Sequence, residues 1–173
     1  AAASSVQLAQ LKPHEIALMQ YDSRGLVPGD YWLASAVWNN YYCDRHGHKF
    51  IYFSTTEGCH YKFETLATPW CKVKAMKDAN AMFPEIKLFI YMDSDAVIDR
   101  KFQTYPVNHF LEVMQERLQW EPEKKPIVFN QDGPCWWCSL IMRVGYTMCL
   151  NAGTVMWYRH PYSEMVLDSW WQA

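Results

Sequence analysis

Two carboxylates stand one residue apart at Asp93 and Asp95, directly after the apolar run Leu88-Phe89-Ile90-Tyr91-Met92. A short continuous apolar run bounded by polar residues reads as a buried strand of a parallel sheet. Open α/β sheets bind their ligands beyond the carboxyl ends of such strands. Side chains alternate along a strand, so residues i and i+2 start from one face. Two carboxylates converging there repel each other unless a cation lies between them. Their hard oxygens suit Mg2+ or Mn2+, ions that bridge carboxylates to the phosphates of a substrate. The chemistry expected of Asp93-Ser94-Asp95 is therefore a divalent ion holding a diphosphate. The competing reading is a solvated turn, because Asp-x-Asp is common in turns.

Other groups are placed to join that edge. Asn130, Asp132 and Asn151 fall where apolar runs end, although Asn, Asp and Gly at such points also serve simply as turn formers. Lys72 and Lys74 precede the Asp-x-Asp strand, where a cation can offset diphosphate charge or pair with an aspartate. A solvated helix face is the alternative. No Gly-x-Gly-x-x-Gly and no P-loop occurs, so phosphate binding has to rest on a metal and on side chains. The histidines show no metal-ligand spacing, and His46-Gly47-His48 is assigned a surface or helix-end role. Cys135-Trp136-Trp137-Cys138 has CxxC spacing but no second ligand pair for zinc. It also comes too late for a thioredoxin-like motif, so a structural or disulfide role is expected.

The elements that position these residues follow from periodicity and punctuation. Glu15 to Tyr21 reads as a first strand ending in the polar loop Asp22-Ser23-Arg24-Gly25. Asp30 can N-cap a helix from Tyr31 to Arg45, which Gly47 stops. Tyr31, Ala34, Trp38 and Tyr41 recur at three-four spacing in it, and they are expected to face the core rather than to form a sugar platform. Lys49 to Phe53 is a second strand, and Thr56 to Thr65 reads as irregular. Thr68-Pro69 opens a second helix, with Pro in its first turn. Val107 to Leu118 is an amphipathic helix. Ile127 to Asn130 is a short strand ending in the turn Gln131-Asp132-Gly133-Pro134. Thr154 to Trp157 is another strand, and Pro161 to Trp171 a closing helix. Strands alternating with helices predict an α/β fold with a mostly parallel central sheet flanked by helices, plus an antiparallel strand in the less regular second half.

A length of 173 residues suits one domain with a real core, and 50% apolar content places the chain among globular proteins. A net charge of −2 gives no electrostatic case for nucleic acid or an anionic membrane. No apolar run approaches the roughly 20 residues of a transmembrane helix. The start Ala1-Ala2-Ala3-Ser4-Ser5 lacks the features of a signal peptide, and the chain is expected to begin inside a longer protein.

Several of these residues occur together in a known order. Trp70-Cys71-Lys72, then the apolar strand with Asp93-Ser94-Asp95-Ala96-Val97-Ile98, then Leu150-Asn151-Ala152-Gly153, resemble a GT-A glycosyltransferase. Tyr42-Cys43-x-x-His46-Gly47-x-Lys49 resembles a helix-to-strand junction of the same family. The chain is most similar to the family of xyloglucan xylosyltransferases, galactomannan galactosyltransferases and fungal Golgi galactosyl- and mannosyltransferases. The resemblance runs from about Ile16 to Trp171.

The resemblance implies a GT-A-like fold with a Rossmann-like nucleotide-binding half. It implies one domain, with 1–14 as an N-terminal extension, 15–105 as the nucleotide-sugar-binding half and 106–173 as the start of the acceptor half. The implied activity is retaining transfer of a hexosyl or pentosyl group from a UDP-sugar or GDP-sugar to a saccharide acceptor, with Mn2+ (or Mg2+). Asp95 is then a direct metal ligand, and Asp93 contacts the ribose and counts with the metal ligands. Ser94 lies in the nucleotide site, and the Tyr21-Asp22-Ser23 edge lies near the base. Lys72, Asp132 and Asn151 surround the diphosphate and donor sugar, the last two as catalytic candidates. The implied setting is the Golgi lumen, as a type II membrane protein whose anchor is absent here. Family members continue with further acidic residues and a histidine that completes the metal site. The chain is therefore expected to be C-terminally truncated or to lack its acceptor side, and to transfer sugar poorly by itself.

Two other classes compete. Asp93-Ser94-Asp95-Ala96-Val97 also fits the first motif of a haloacid-dehalogenase-type phosphotransferase, with Asp93 as nucleophile and Asp95 as acid/base. That motif belongs on an early strand with a later acidic pair. A non-catalytic domain that binds sugar or nucleotide is the other possibility.

Overall fold

Ile16–Asp22 (β1) and Leu88–Met92 (β5) are buried along their whole length. Such strands need partners on both edges and cover on both faces. The computed structural model, which describes residues 7–61, 64–134 and 148–172, supplies both. β1 pairs in parallel with Lys49–Ser54 (β2) on one side and with β5 on the other. Met148–Tyr158 (β7) runs antiparallel to β5, and Ile127–Pro134 (β6) antiparallel to β7. The order is β2-β1-β5-β7-β6, so β7 alone opposes the direction of the other strands. Cys59–Tyr61 (β3) and Glu64–Leu66 (β4) form a separate hairpin within the stretch that reads as irregular.

Alternation sends Ala17, Met19, Tyr21, Phe89, Tyr91, Val155 and Trp157 to one face. There they pack with Cys71, Ala75, Met76 and Ala79 of Thr68–Met82 (α2) and Leu167 of Pro161–Gln172 (α4). Phe89 and Trp157 stack with ring centroids 4.8 Å apart. Ile16, Leu18, Leu88, Ile90 and Met92 face the other way. They meet Tyr42 and Cys43 of Tyr31–His46 (α1) and Val107 and Leu111 of Val107–Leu118 (α3). Gly47 ends α1 at φ +71°, a conformation that suits glycine, and the His48 N–H closes the turn on the Cys43 carbonyl at 2.9 Å.

The topology opens a crevice at one place. From β1 the chain passes through α1 to β2, on one side of β1. It then passes through α2 to β5, on the other side. The strand order reverses at β1, and α1 and α2 lie on opposite faces. A ligand of an open α/β sheet binds beyond the carboxyl ends of the strands at such a reversal. Asp22 ends β1 there, and Asp93 follows β5.

Four expectations need correction. Tyr31, Ala34, Trp38 and Tyr41 do not face the core; they are exposed, and Ser35, Ala36, Asn39, Tyr42 and Cys43 are buried instead. No charged residue marks the wet side of α1 before Asp44, so periodicity alone does not separate two faces of similar polarity. Asp30 makes no side-chain cap, and only its carbonyl receives the Ala34 N–H. His48 is buried rather than on the surface, with Nδ1 at 3.0 Å from the Pro13 carbonyl. Gln131-Asp132-Gly133-Pro134 is not a turn. β6 continues through it, with register shifts after Phe129 and after Gln131 that absorb the Gly and Pro. Cys135 and Cys138 lie outside the described residues.

Candidate functional site

β5 ends at Met92, and Asp93-Ser94-Asp95-Ala96 is a turn closed by the Ala96 N–H on the Asp93 carbonyl at 2.9 Å. The two aspartates are thus positioned by a turn, and not by the strand alternation that the sequence suggests. The turn is fastened from several directions. Gln20 Nε2, on β1, donates to the carbonyls of Asp93 at 3.0 Å and Ala96 at 3.1 Å. Asn39, on α1, donates through Nδ2 to Ala96 O at 2.9 Å and accepts the Ile98 N–H at 3.0 Å. The Asp93 N–H donates to the Gly153 carbonyl of β7 at 2.8 Å. Gln20 and Asn39 are fully buried, so a low-dielectric surrounding strengthens each of these bonds. Sequence reasoning missed both. For Gln20 the available signal was an amide inside an otherwise apolar buried strand; Asn39, on α1, carried no such mark.

Asp93 Oδ1 accepts from Tyr91 Oη at 2.9 Å and from Lys72 Nζ at 3.3 Å. Burial, reinforced by the Asp93 charge and hydrogen bond, pushes the Tyr91 phenol far up, so it remains a neutral donor. The Asp93 side chain is 39% exposed and lines a cavity of about 260 Å³ at the β1–β5 reversal. Asp22, Arg24, Lys72 and Ser94 line it as well. Asp22 does not offer a free carboxylate there. Arg24 grips it with Nε–Oδ1 at 2.9 Å and Nη2–Oδ2 at 2.5 Å, and the same guanidinium reaches Ser94 Oγ at 3.2 Å. Arg24 thereby ties the loop after β1 to the loop after β5, a role that the sequence did not single out. Lys74 turns away to pair with Asp78 at 2.5 Å.

Burial is the largest influence on Asp22 and raises its pKa, but the Arg24 and Ser94 hydrogen bonds together with the Arg24 charge outweigh it. The carboxyl is therefore held below its usual range. A carboxyl depressed in the native state stabilises the fold above its unfolded pKa, and that contribution fades as pH falls through the folded pKa. Asp22→Asn is expected to be less stable than the parent at pH 7. The gap between the two should close as pH falls from about 5 to about 2. Urea melts across that range measure it, and a constant gap would show that the Asp22–Arg24 pair is not its source.

A second cavity, of about 330 Å³, adjoins the first, and Tyr21 lines both. The Tyr21 hydroxyl is buried with no hydrogen-bond partner among the described residues. An unpaired buried hydroxyl is costly, and a ligand group can satisfy it. The wall of this cavity includes Cys59 and Cys71, which form a disulfide between β3 and α2 directly before Lys72.

Asp132 and Asn151 sit on the β6–β7 ribbon. Met92 pairs with Thr154, and Asn130 with Asn151, so the ribbon runs on past the end of β5 on the side of the Asp-x-Asp turn. For Asp132 and Asn151 the backbone position is what the structure describes, and it places both beyond the carboxyl edge.

Asp93 and Asp95 supply hard oxygen donors of the kind Mn2+ or Mg2+ takes. The Asp93 carboxylate is held in place yet open to the cavity, and Asp95 is exposed on the same turn. Among the described residues no third His, Cys, Asp or Glu joins them. An ion held by this pair would take its remaining ligands from a diphosphate and water.

Residues 18–173 match the sequence profile of the galactosyl transferase GMA12/MNN10 family. No curated protein matches at a significant level. A similar solved structure is the crystal structure of a glycosyltransferase involved in the glycosylation of the major capsid of PBCV-1. It superposes with a TM-score of 0.61 at 17% identity, over 91% of this chain and 65% of that one. The present chain thus spans just under two thirds of that protein's length. At this identity the likeness bears on the fold, a mixed sheet with mostly parallel core strands flanked by helices.

Proposed function

Because this chain belongs to the galactosyl transferase GMA12/MNN10 family, we propose that its glycosyl transfer draws on a nucleoside-diphosphate sugar seated over the β1–β5 reversal. The observation that carries this reading is Asp93 itself. It stands at the topological switch point, is oriented by Tyr91 and Lys72, and faces a cavity that Arg24 and Ser94 share. Lys72 lies beside the diphosphate, and Asp93 and Asp95 would hold Mn2+ or Mg2+. A divalent ion there would offset the charge that builds on the departing nucleoside diphosphate. The base and ribose occupy the adjoining cavity, where the Tyr21 hydroxyl gains a partner.

The sugar then lies toward the β6–β7 ribbon, near Asp132 and Asn151. An acceptor hydroxyl attacking on the leaving-group side would retain the anomeric configuration without a protein nucleophile. The transferred group is a hexose or pentose and the acceptor a glycan, with the Golgi lumen as the place of action. No helix among the described residues is long and apolar enough to cross a membrane. Family membership also sets aside the phosphotransferase alternative.

Calorimetry with UDP and with GDP, in Mn2+ and in EDTA, tests the proposal. One nucleotide is expected to bind at least about tenfold tighter than the other, and only with the ion present. Equal affinity in EDTA would overturn the metal–diphosphate assignment.

A further inference from the structure

Asp22 and Arg24 face the donor cavity unequally. The Asp22 side chain is 3% exposed and the Arg24 side chain 42% exposed, and both residues line the cavity. What this ion pair presents to a ligand is therefore its cation. The guanidinium is also held still. Its Cζ lies 4.0 Å from the ring centroid of Trp32, whose indole N–H is fixed on the Gly25 carbonyl at 2.7 Å. Nε and Nη2 donate to Asp22, Nη2 donates also to Ser94 Oγ, and Nη1 donates to Tyr31 Oη at 2.8 Å. A guanidinium has five N–H donors, and these contacts use four of them. One Nη1 N–H has no partner among the described residues.

The reach onto Ser94 goes beyond what neutralising Asp22 requires. It sets the cation against the residue that stands between Asp93 and Asp95. A group bound to an ion on those two aspartates lies close to Ser94, and so to Arg24. Lys72 lines the same cavity, with its ammonium set against Asp93 at 3.3 Å.

We propose that Arg24 is a diphosphate-binding residue, a second cation that meets the phosphates of the donor beside Lys72. This inference rests on the donor site proposed above. The planar guanidinium fork matches the oxygens of a phosphate. A cation already stacked and bonded loses little freedom when the ligand arrives. It also needs no reorganisation as charge builds on the departing nucleoside diphosphate. Asp22 is then the counter-charge that holds the cation in the free protein and competes with the ligand for it.

Calorimetry with UDP and with GDP in Mn2+ tests this, on the parent, on Asp22→Asn and on Arg24→Gln/Asp22→Asn. The double variant avoids stranding a buried carboxylate, and a thermal melt without nucleotide checks that each protein is folded. The nucleotide that the parent binds is expected to bind the double variant about tenfold more weakly or worse. Asp22→Asn should bind it at least as tightly as the parent, because the competing carboxylate charge is gone. A double variant within about twofold of the parent would overturn the role of Arg24 while leaving the donor site standing. So would an Asp22→Asn variant weakened as much as the double variant, which would reduce the pair to a tie between two loops. If the double variant does not fold, Asp22→Asn decides by its sign, and weaker binding overturns the inference. A parent that binds neither nucleotide overturns the donor site and this inference with it.

Discussion

Asp95→Asn is expected to lower glycosyl transfer by roughly a thousandfold while leaving the fold intact. Charge stabilisation at a departing diphosphate is worth several kcal/mol, and about 1.4 kcal/mol is a factor of ten in rate. Asp95 is exposed on a turn whose shape is set by Gln20, Asn39 and the backbone of Gly153, none of which depends on its carboxylate. Its replacement should therefore change stability by no more than about 0.5 kcal/mol. Asp93→Asn is a less clean change, because it also weakens the acceptor shared by Tyr91 and Lys72. The measurements are sugar transfer, Mn2+-dependent nucleotide binding, and a thermal melt. Wild-type nucleotide affinity in Asp95→Asn would remove this residue from the metal site.

The second large effect is expected at Asn39, which touches no ligand. Asn39→Ala leaves the Ile98 N–H without its acceptor and deprives the Ala96 carbonyl of one of its two donors, at a part-buried turn beneath which Asn39 itself is fully buried. An unsatisfied buried group costs about 1–3 kcal/mol, so a loss of that order is expected in urea unfolding. The damage should also reach the site, because the segment released is the one that carries Asp93 and Asp95. Mn2+-dependent nucleotide affinity should fall about tenfold under conditions where the variant is still folded. Destabilisation with unchanged nucleotide affinity would reduce Asn39 to a purely structural role.

These positions mark the limit of what a sequence displays. β1 and β5 are legible because strands buried on both faces are written as largely continuous apolar runs, and Asp93 is legible as the first polar residue after such a run. Gln20 and Asn39 are not, because their partners are 57 to 76 residues away and each lies inside an element that local patterning calls core. α1 misled for the opposite reason. A helix without charge from Tyr31 through Cys43 gives periodicity no wet face to find. Asp132-Gly133-Pro134 carries turn residues, yet the ladder with β7 carries the strand through them, a case of tertiary pairing overriding local propensity. Among the described residues, the bonded pair Cys59–Cys71 joins a three-residue strand to a helix start across a separation of 12, a spacing that points to no partner in advance.

That cysteine pair links the packing around Asp93 to the redox conditions under which the chain folds. Thiols stay reduced in a cytosol and oxidise in a secretory lumen. Without the bridge, the β3–β4 hairpin keeps only its own short ladder, and the first turn of α2 loses its covalent hold on the cavity wall. The residue that follows is Lys72, the cation set against Asp93. A chain kept under reducing conditions is therefore expected to keep the same sheet while holding the start of α2, and with it Lys72, less firmly against Asp93.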